Sequence, residues 1–209
     1  AGITDPKELA NFMGLLQHES RNFARLEENL NYSGERLHEV FKDRNGLTAE
    51  RATELAGIPD RTERHKAIAE QIYGGADGKT RLGNTEPGDG YSYRGRGYMQ
   101  ITGRGNYTAL AHATGLDLVN RPELAAEQGN AEKLAIHYWK AQVQPDLAAR
   151  TDVTVAGSLI NTGRNDRIPK GLADRQASAA AWEKAISSGY LKEALARHPL
   201  PEEAALPLK

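Results

Sequence analysis

The stretch Gln17-His-Glu-Ser-Arg-Asn-Phe-Ala-Arg-Leu-Glu-Glu-Asn-Leu-Asn-Tyr-Ser33 decides how this chain folds, because it concentrates acids, amides and aromatics and must either continue a helix or reverse it. Upstream, Leu9, Phe12, Met13 and Leu16 fall at i, i+3, i+4 and i+7, which predicts a helix with one apolar stripe delivering His18 and Glu19. If that helix ran on to Glu28, nine residues at about 100° each would put Glu19 and Glu28 on opposite faces. Asn22 is a poor helix former, Phe23 interrupts the stripe, and Asn29 to Ser33 is turn-like by composition. The expectation is therefore a reversal after Glu19 that lets two carboxylates face each other across a cleft.

Two opposed carboxyl groups are the minimal equipment for hydrolysing a glycosidic bond: one protonates the leaving oxygen, the other activates water or attacks the sugar. Glu27 and Glu28 beside Arg25 also read as a solvated charge run, and spacing alone favours that reading. Nor does spacing separate Glu27 from Glu28 as the second acid.

The chain has 209 residues, enough for one compact domain, with an ordered core expected over about 5–188 and a C-terminal tail over 190–209. A formal net charge of −1 removes the simplest electrostatic case for binding nucleic acid or an anionic membrane over the whole surface. The absence of cysteine excludes disulfides, thiolate metal sites and a cysteine nucleophile. No apolar run approaches the ~20 residues needed to span a bilayer. Residue 1 is Ala, so a removed leader or an upstream domain stays open.

Taken in order, Thr4 or Asp5 before Pro6 opens the first helix. Ser33 caps a helix holding Leu37, Val40 and Phe41, Thr48 opens another closed by Gly57, and Arg61 to Ile72 is a third. From Gly74 to Gly97 the chain holds eight of its 21 glycines and reads as a long functional loop, with short strands or a hairpin among Tyr91, Tyr93, Tyr98 and Ile101. Thr102 is expected to cap a helix ending at Gly115, and Pro122 starts a brief one. A longer helix follows Asn130 with Leu134, Tyr138 and Ala141 on its stripe, leaving Trp139 outside it and exposed. Val153 to Ile160 delivers Asn161, and a final helix spans about Leu172 to Ile186.

His18-Glu19 begins like a zinc-protease pattern, but position 22 is Asn, and the six histidines have no ligand spacing, so no metal or other cofactor is expected. Gly95-Arg-Gly97 and Gly103-Arg-Gly105 lack what completes a nucleotide fingerprint and read as turns of close backbone approach. Arg94, Arg96 and Arg104 beside aromatics have the look of a single-strand nucleic-acid site, yet with a near-neutral chain, pairing with buried carboxylates is the stronger reading.

Tyr93-Arg-Gly-Arg-Gly-Tyr-Met-Gln-Ile-Thr-Gly-Arg-Gly-Asn-Tyr107 settles the choice. It resembles the signature of glycoside hydrolase family 19, the chitinases and related bacteriophage endolysins. His18-Glu19-Ser20 is similar to that family's acid-bearing segment, Leu26 to Ser33 to the second-carboxylate segment of its endolysin branch, Leu159-Ile-Asn161 to its groove strip, and Asp174-Arg175 to a pair in its last helix. These blocks keep the family's order over about Leu9 to Ile186.

The resemblance implies a mainly α, lysozyme-like fold with two lobes flanking a cleft and a small β element near Tyr91 to Gln100. It implies Glu19 as general acid and Glu28 as general base, with Glu27 the rival base and Thr102 holding the attacking water. Gln100, Asn106 and Asn161 would hydrogen-bond the sugar, with His18 among the substrate-binding groups; Tyr32 and Tyr98 would line the groove, and Arg175 would charge-balance the acid. Arg164-Asn165 stands where plant members carry a carboxylate, which alters the charge network expected around Arg175. Glu19, closing an apolar helix, is expected to be protonated near neutrality, and Glu28, more exposed, to be ionised. The implied activity is an inverting cleavage of β-1,4 links between amino sugars of peptidoglycan at the bacterial wall, from the periplasmic or outer side, by a monomer. Chitin is the runner-up substrate, and an inactive glycan-binding module the alternative of another class.

Overall fold

The computed structural model describes residues 2–198, apart from the side chain of Thr162, and the chain divides into two compact units. One, the terminal unit, combines the chain up to His18 with Tyr138 onward; the other, the central unit, is Glu19–His137. The fold is mainly α-helical.

In the terminal unit, α1 spans Pro6–Glu19, its last residue opening the central unit. Asp5 caps it: its Oδ1 accepts from the Lys7 amide at 2.7 Å and the Glu8 amide at 3.0 Å, while Pro6 occupies a position where an amide would go unused. The buried face is rotated from the expected stripe. Glu8, Asn11, Phe12, Leu15 and Leu16 are buried, and Leu9 and Met13 only half-buried. The rotation has a polar cause: Asn11 Nδ2 donates to the carbonyls of Ala149 and Arg150, both at 3.0 Å, and Glu8 Oε1 accepts from Trp139 Nε1 at 2.9 Å and Gln144 Nε2 at 2.7 Å. Helices α9 (Leu147–Thr151), α10 (Val153–Thr162), α11 (Leu172–Ser187) and α12 (Tyr190–Arg197) complete the unit. Gly14 lies where a Cβ would come within 2.5 Å of the Ala179 backbone, so α1 and α11 cross at glycine distance. Part of the expected tail is thus helical in α12, and the remainder lies outside the described residues.

Trp139 is not exposed but 1% accessible, edge-on to Phe12 with ring centroids 5.2 Å apart. In the central unit the residues buried before it are Ala131, Leu134 and Ala135, whereas Trp139 is buried within the terminal unit. A wide π turn, Trp139–Val143, comes next, closed by Gln144 N donating to Trp139 O at 2.9 Å.

In the central unit, α2 (Gly34–Phe41), α3 (Ala49–Ala56) and α4 (Arg61–Tyr73) start where Ser33, Thr48 and Asp60 accept backbone amides in their first turns. Their apolar faces bury Leu37, Leu55, Ile68 and Ile72 together with Leu30 and Leu47 from the connecting segments. A second cluster joins Tyr93, Ile101, Tyr107, Leu110, Leu118 and Leu134, drawn partly from α7 (Arg104–Thr114) and α8 (Gln128–Tyr138), with a 3-10 turn at Pro122–Ala126 between them.

The glycine-rich segment is not one long loop. It folds into α5 (Gly75–Leu82), ended by Gly83 in the left-handed region, and the short α6 (Asp89–Ser92). A Cβ on Gly78 would collide with the Tyr73 carbonyl, so its glycines are spent on packing α5 tightly against the end of α4. Asp89 ties the turn before α6 to the start of α7: its Oδ2 accepts from the amides of Thr85 (2.9 Å) and Glu86 (3.0 Å) and from Arg104 Nε (2.8 Å). The β element is smaller than expected, two isolated antiparallel bridges that pair Arg96 with Glu27 and with Ile101.

Candidate active site

The site begins at the predicted reversal. Arg21, Asn22 and Phe23 all adopt positive φ (50°, 60° and 61°), a single left-handed turn that costs on the order of 1–2 kcal/mol per residue for side chains of this kind. Buried Ser20 holds it, its Oγ accepting from the Phe23 amide and its carbonyl from the Arg25 amide, both at 2.9 Å. The Phe23 ring meets Tyr98 edge-on at 5.7 Å. Tyr98, expected to line a groove, is 7% exposed, and what it visibly does is brace this turn.

After the turn, Leu26 to Glu28 lies beside Gly95 to Gly97: Gly97 N donates to Leu26 O at 2.8 Å, and Glu28 N to Gly95 O at 2.9 Å. Successive side chains of extended backbone point to opposite faces, which separates two acids that the linear sequence leaves equivalent. Glu27 accepts from Arg96 Nε at 2.7 Å and Arg94 Nη2 at 3.2 Å. Burial pushes its carboxyl up, but the two guanidinium groups outweigh this and hold it below the usual range. Glu28 turns the other way: its Oε1 accepts from the Gly95 amide and its Oε2 from the Tyr73 hydroxyl, both at 2.8 Å.

Glu28 is therefore not the exposed acid expected. Burial raises its pKa above the ordinary carboxyl value, partly offset by the Gly95 amide, the Tyr73 hydroxyl and the charges of Arg94 and Arg96. Burial, together with the charge and hydrogen bond of Glu28, in turn lifts the Tyr73 phenol well above its ordinary value, so it stays a proton donor. Half-buried Tyr32, edge-on to Phe41 at 5.5 Å, is raised by burial and then by the same charge.

Gly95 is where the site converges. A Cβ built there would lie 3.1 Å from Gln100 Oε1 and 3.4 Å from both Glu28 Cβ and Thr102 Oγ1, so three residues named from the sequence surround one glycine. Gln100 is held at φ 49°, a left-handed value, with its Nε2 donating to Gly97 O at 3.0 Å. Thr102 does not cap α7, whose N-cap is Gly103; its hydroxyl donates to Gln100 O at 3.0 Å and keeps its lone pairs to accept. Asn106, exposed in the first turn of α7, donates through Nδ2 to Thr102 O at 2.7 Å. Glu19, half-buried, ends α1 immediately before the turn.

The remaining sequence-predicted residues belong to the terminal unit. The half-buried His18 imidazole packs against Gly171, where a Cβ would come within 2.6 Å of it. Exposed Asn161 accepts at Oδ1 from the Lys170 amide at 3.0 Å, and Arg175, 1% accessible, donates from Nε to Lys170 O at 3.0 Å. Arg164 pairs locally with Asp166.

A depression of ≈ 510 Å³ opens beside the second carboxylate, with Glu27, Glu28, Asn29, Asn31, Arg61 and Arg94 among its walls. The arginines that suggested nucleic acid are spent inside the unit: Arg94 and Arg96 on Glu27, Arg104 on Asp89. Sequence reasoning missed Tyr73 and Gly95. The only signal for Gly95 was its place in a Gly-Arg-Gly run, and for Tyr73 there was none.

A helical scaffold presenting a half-buried, raised-pKa carboxylate beside a hydroxyl and an amide has the equipment for general acid–base catalysis. Comparison with known proteins gives the particular family. The family model described as "Chitinase class I" of glycoside hydrolase family 19 matches residues 71–169. A "Glycosyl hydrolase family 19 domain-containing protein" of Haemophilus influenzae is 36% identical over 172 residues, 79% of this chain and 76% of that one. Shorter matches are to rice "Chitinase 8" (46% over 48 residues, 22% of this chain and 18% of that one) and tomato "Acidic 27 kDa endochitinase" (43% over 51 residues, 24% and 21%). The chain belongs to glycoside hydrolase family 19 and is a chitinase-like glycoside hydrolase.

Proposed function

We propose that the protein cleaves the β-1,4 bond between amino sugars of bacterial peptidoglycan, with inversion, acting on the wall from its periplasmic or outer side. Glu19 protonates the glycosidic oxygen as the bond to the anomeric carbon breaks. Glu28 takes a proton from a water whose oxygen attacks that carbon from the opposite face, a geometry that needs carboxyl groups roughly 6.5–9.5 Å apart. Thr102 accepts a hydrogen from that water and Gln100 Oε1 fixes the sugar beside it, while Asn106 and Tyr32 bind further along the strand.

The observation that carries this reading is the different treatment of two neighbouring acids. Glu27 is tied down by two arginines and made a weaker base, whereas Glu28 is half-buried, hydrogen-bonded and made a stronger one. A base whose pKa is moved toward the working pH removes a proton from water more effectively. Peptidoglycan is favoured over chitin because Leu26 to Ser33 resembles the endolysin version of this segment, and the chain has no cysteine framework of the plant chitinases.

Digesting purified sacculi and N-acetylglucosamine oligomers in parallel, with mass spectrometry of the new reducing ends, tests the proposal. Soluble muropeptides with new amino-sugar reducing ends are expected from the sacculi. Cleavage of the oligomers alone would make the protein a chitinase, and binding without products would make it a glycan-binding module.

A further inference from the structure

The depression beside Glu28 contains more positive charge than the proposed chemistry uses. Arg25, just after the left-handed turn, and Arg61, the first residue of α4, both line it. Unlike Arg36, Arg51, Arg94, Arg96 and Arg104, neither has a carboxylate partner among the described residues. Arg61 and Thr62, the first two residues of the 13-residue α4, reach this space, while the helix's own N-terminal end is already capped by the Asp60 carboxylate, so the positive charge of the wall comes from the guanidinium groups. Two amides complete the wall: Asn29 and Asn31 use their oxygens inside the protein, accepting from the Asn31 amide at 2.9 Å and from His65 Nε2 at 2.8 Å, which leaves their NH2 groups as donors. His65 reports the local field, its pKa lowered first by burial and then by Arg61, Arg64 and Arg94. A neutral sugar does not need such a wall; an anionic substituent on the sugar does.

We propose that this depression is a subsite for a carboxylate carried by the glycan, with Arg25 and Arg61 as its charged walls and the Asn29 and Asn31 amides as supporting donors. The inference rests on the peptidoglycan reading and deepens it, because it assigns the choice between peptidoglycan and chitin to named residues. The carboxylate has two chemical sources, the lactyl ether of muramic acid where no peptide is attached and the acidic residues of the stem peptide where one is.

The test measures kcat/KM for the wild type, Arg25→Gln, Arg61→Gln and the double variant on three substrates: neutral N-acetylglucosamine oligomers, peptide-free glycan strands and peptide-bearing strands. The readout is the ratio of anionic to neutral kcat/KM. Each substitution is expected to lower it about three- to tenfold through KM, since a charge-assisted pair in a partly exposed wall is of that strength. The ratio should also fall in wild type as salt shortens the Debye length below about 8 Å. Arg25→Lys with Arg61→Lys, keeping the charge, should restore part of it.

A fall confined to peptide-free strands assigns the site to the lactyl group, and one confined to peptide-bearing strands assigns it to the peptide. An unchanged ratio in folded double variant overturns the subsite while leaving peptidoglycan cleavage by the wild type intact. A wild type that cleaves only neutral oligomers overturns the functional reading and the subsite with it.

Discussion

Replacing Tyr73 by Phe removes one oxygen from the site and should move the pH profile in a defined direction. The hydroxyl donates to Glu28 Oε2 at 2.8 Å, and because burial and the neighbouring charge keep the phenol protonated, this bond favours the ionised carboxylate. Hydrogen bonds to charged groups contribute about 1.5–3 kcal/mol, and one pKa unit corresponds to about 1.36 kcal/mol. With the Gly95 amide still in place on Oε1, the lower end applies, so Glu28 should rise by about one further unit. The assay is kcat/KM against pH: the acid limb, where the base must be ionised, should shift upward by about one unit, costing about tenfold on that limb and little on the plateau. Stability should change in step, with a loss of about 1.5 kcal/mol where Glu28 is ionised and less where it is protonated. An acid limb displaced by less than about 0.3 unit would refute the role given to Tyr73 and weaken the case for Glu28 as base.

Gly95→Ala places a Cβ 3.1 Å from Gln100 Oε1, so Gln100 must shift by a few tenths of an ångström; the fold should persist while kcat/KM falls about tenfold, checked by circular dichroism and initial rates. Arg21→Gly relieves a side chain at φ 50° and should raise stability by about 1 kcal/mol in urea melts, and a loss of that size would contradict the left-handed turn. Asp89 and Glu28 should act oppositely on the pH dependence of stability. Burial raises the Asp89 carboxyl, but Arg104 and two amides outweigh it and lower its pKa, so its contribution is present above the ordinary value and lost as pH falls through the lowered one. The Glu28 pKa is raised, so the folded state binds its proton more tightly and stability declines as pH climbs from the ordinary carboxyl value through the raised one; Glu28→Gln should remove that decline and Asp89→Asn the acid loss, both visible in melts from about pH 3 to 8.

The helices and their caps were legible because the signals are local. Asp5 with Pro6, Ser33 and Thr48 each sit within four residues of the amides they satisfy. The reversal after Glu19 was legible from what breaks a helix, though nothing in Arg21-Asn-Phe23 announces three left-handed residues in a row. The errors have a common physical form. Glu8 and Asn11 rotate the buried face of α1 because buried polar groups find partners more than 130 residues away, which periodicity cannot weigh. The glycines from 74 onward read as flexibility, whereas Gly78 serves close packing inside a helix. Tyr73 lies 45 residues from Glu28, and only the folded backbone brings phenol and carboxylate together. Thr102 looked like a cap because a hydroxyl stood before a helix, yet Gly103 takes that position and frees the hydroxyl to face Gly95.

Initial rates of sacculus clearing by Glu19→Gln, Glu27→Gln and Glu28→Gln, each first shown by circular dichroism to be folded, go to the heart of the mechanism. The variants at 19 and 28 should lose at least about 10²–10⁴-fold in kcat. Glu27→Gln, which removes an ion-pair partner of Arg94 and Arg96, should lower the melting temperature yet keep most of its activity per folded molecule. A Glu28→Gln enzyme that still clears sacculi at near wild-type rate, or a Glu27→Gln enzyme that is folded and inactive, would contradict it.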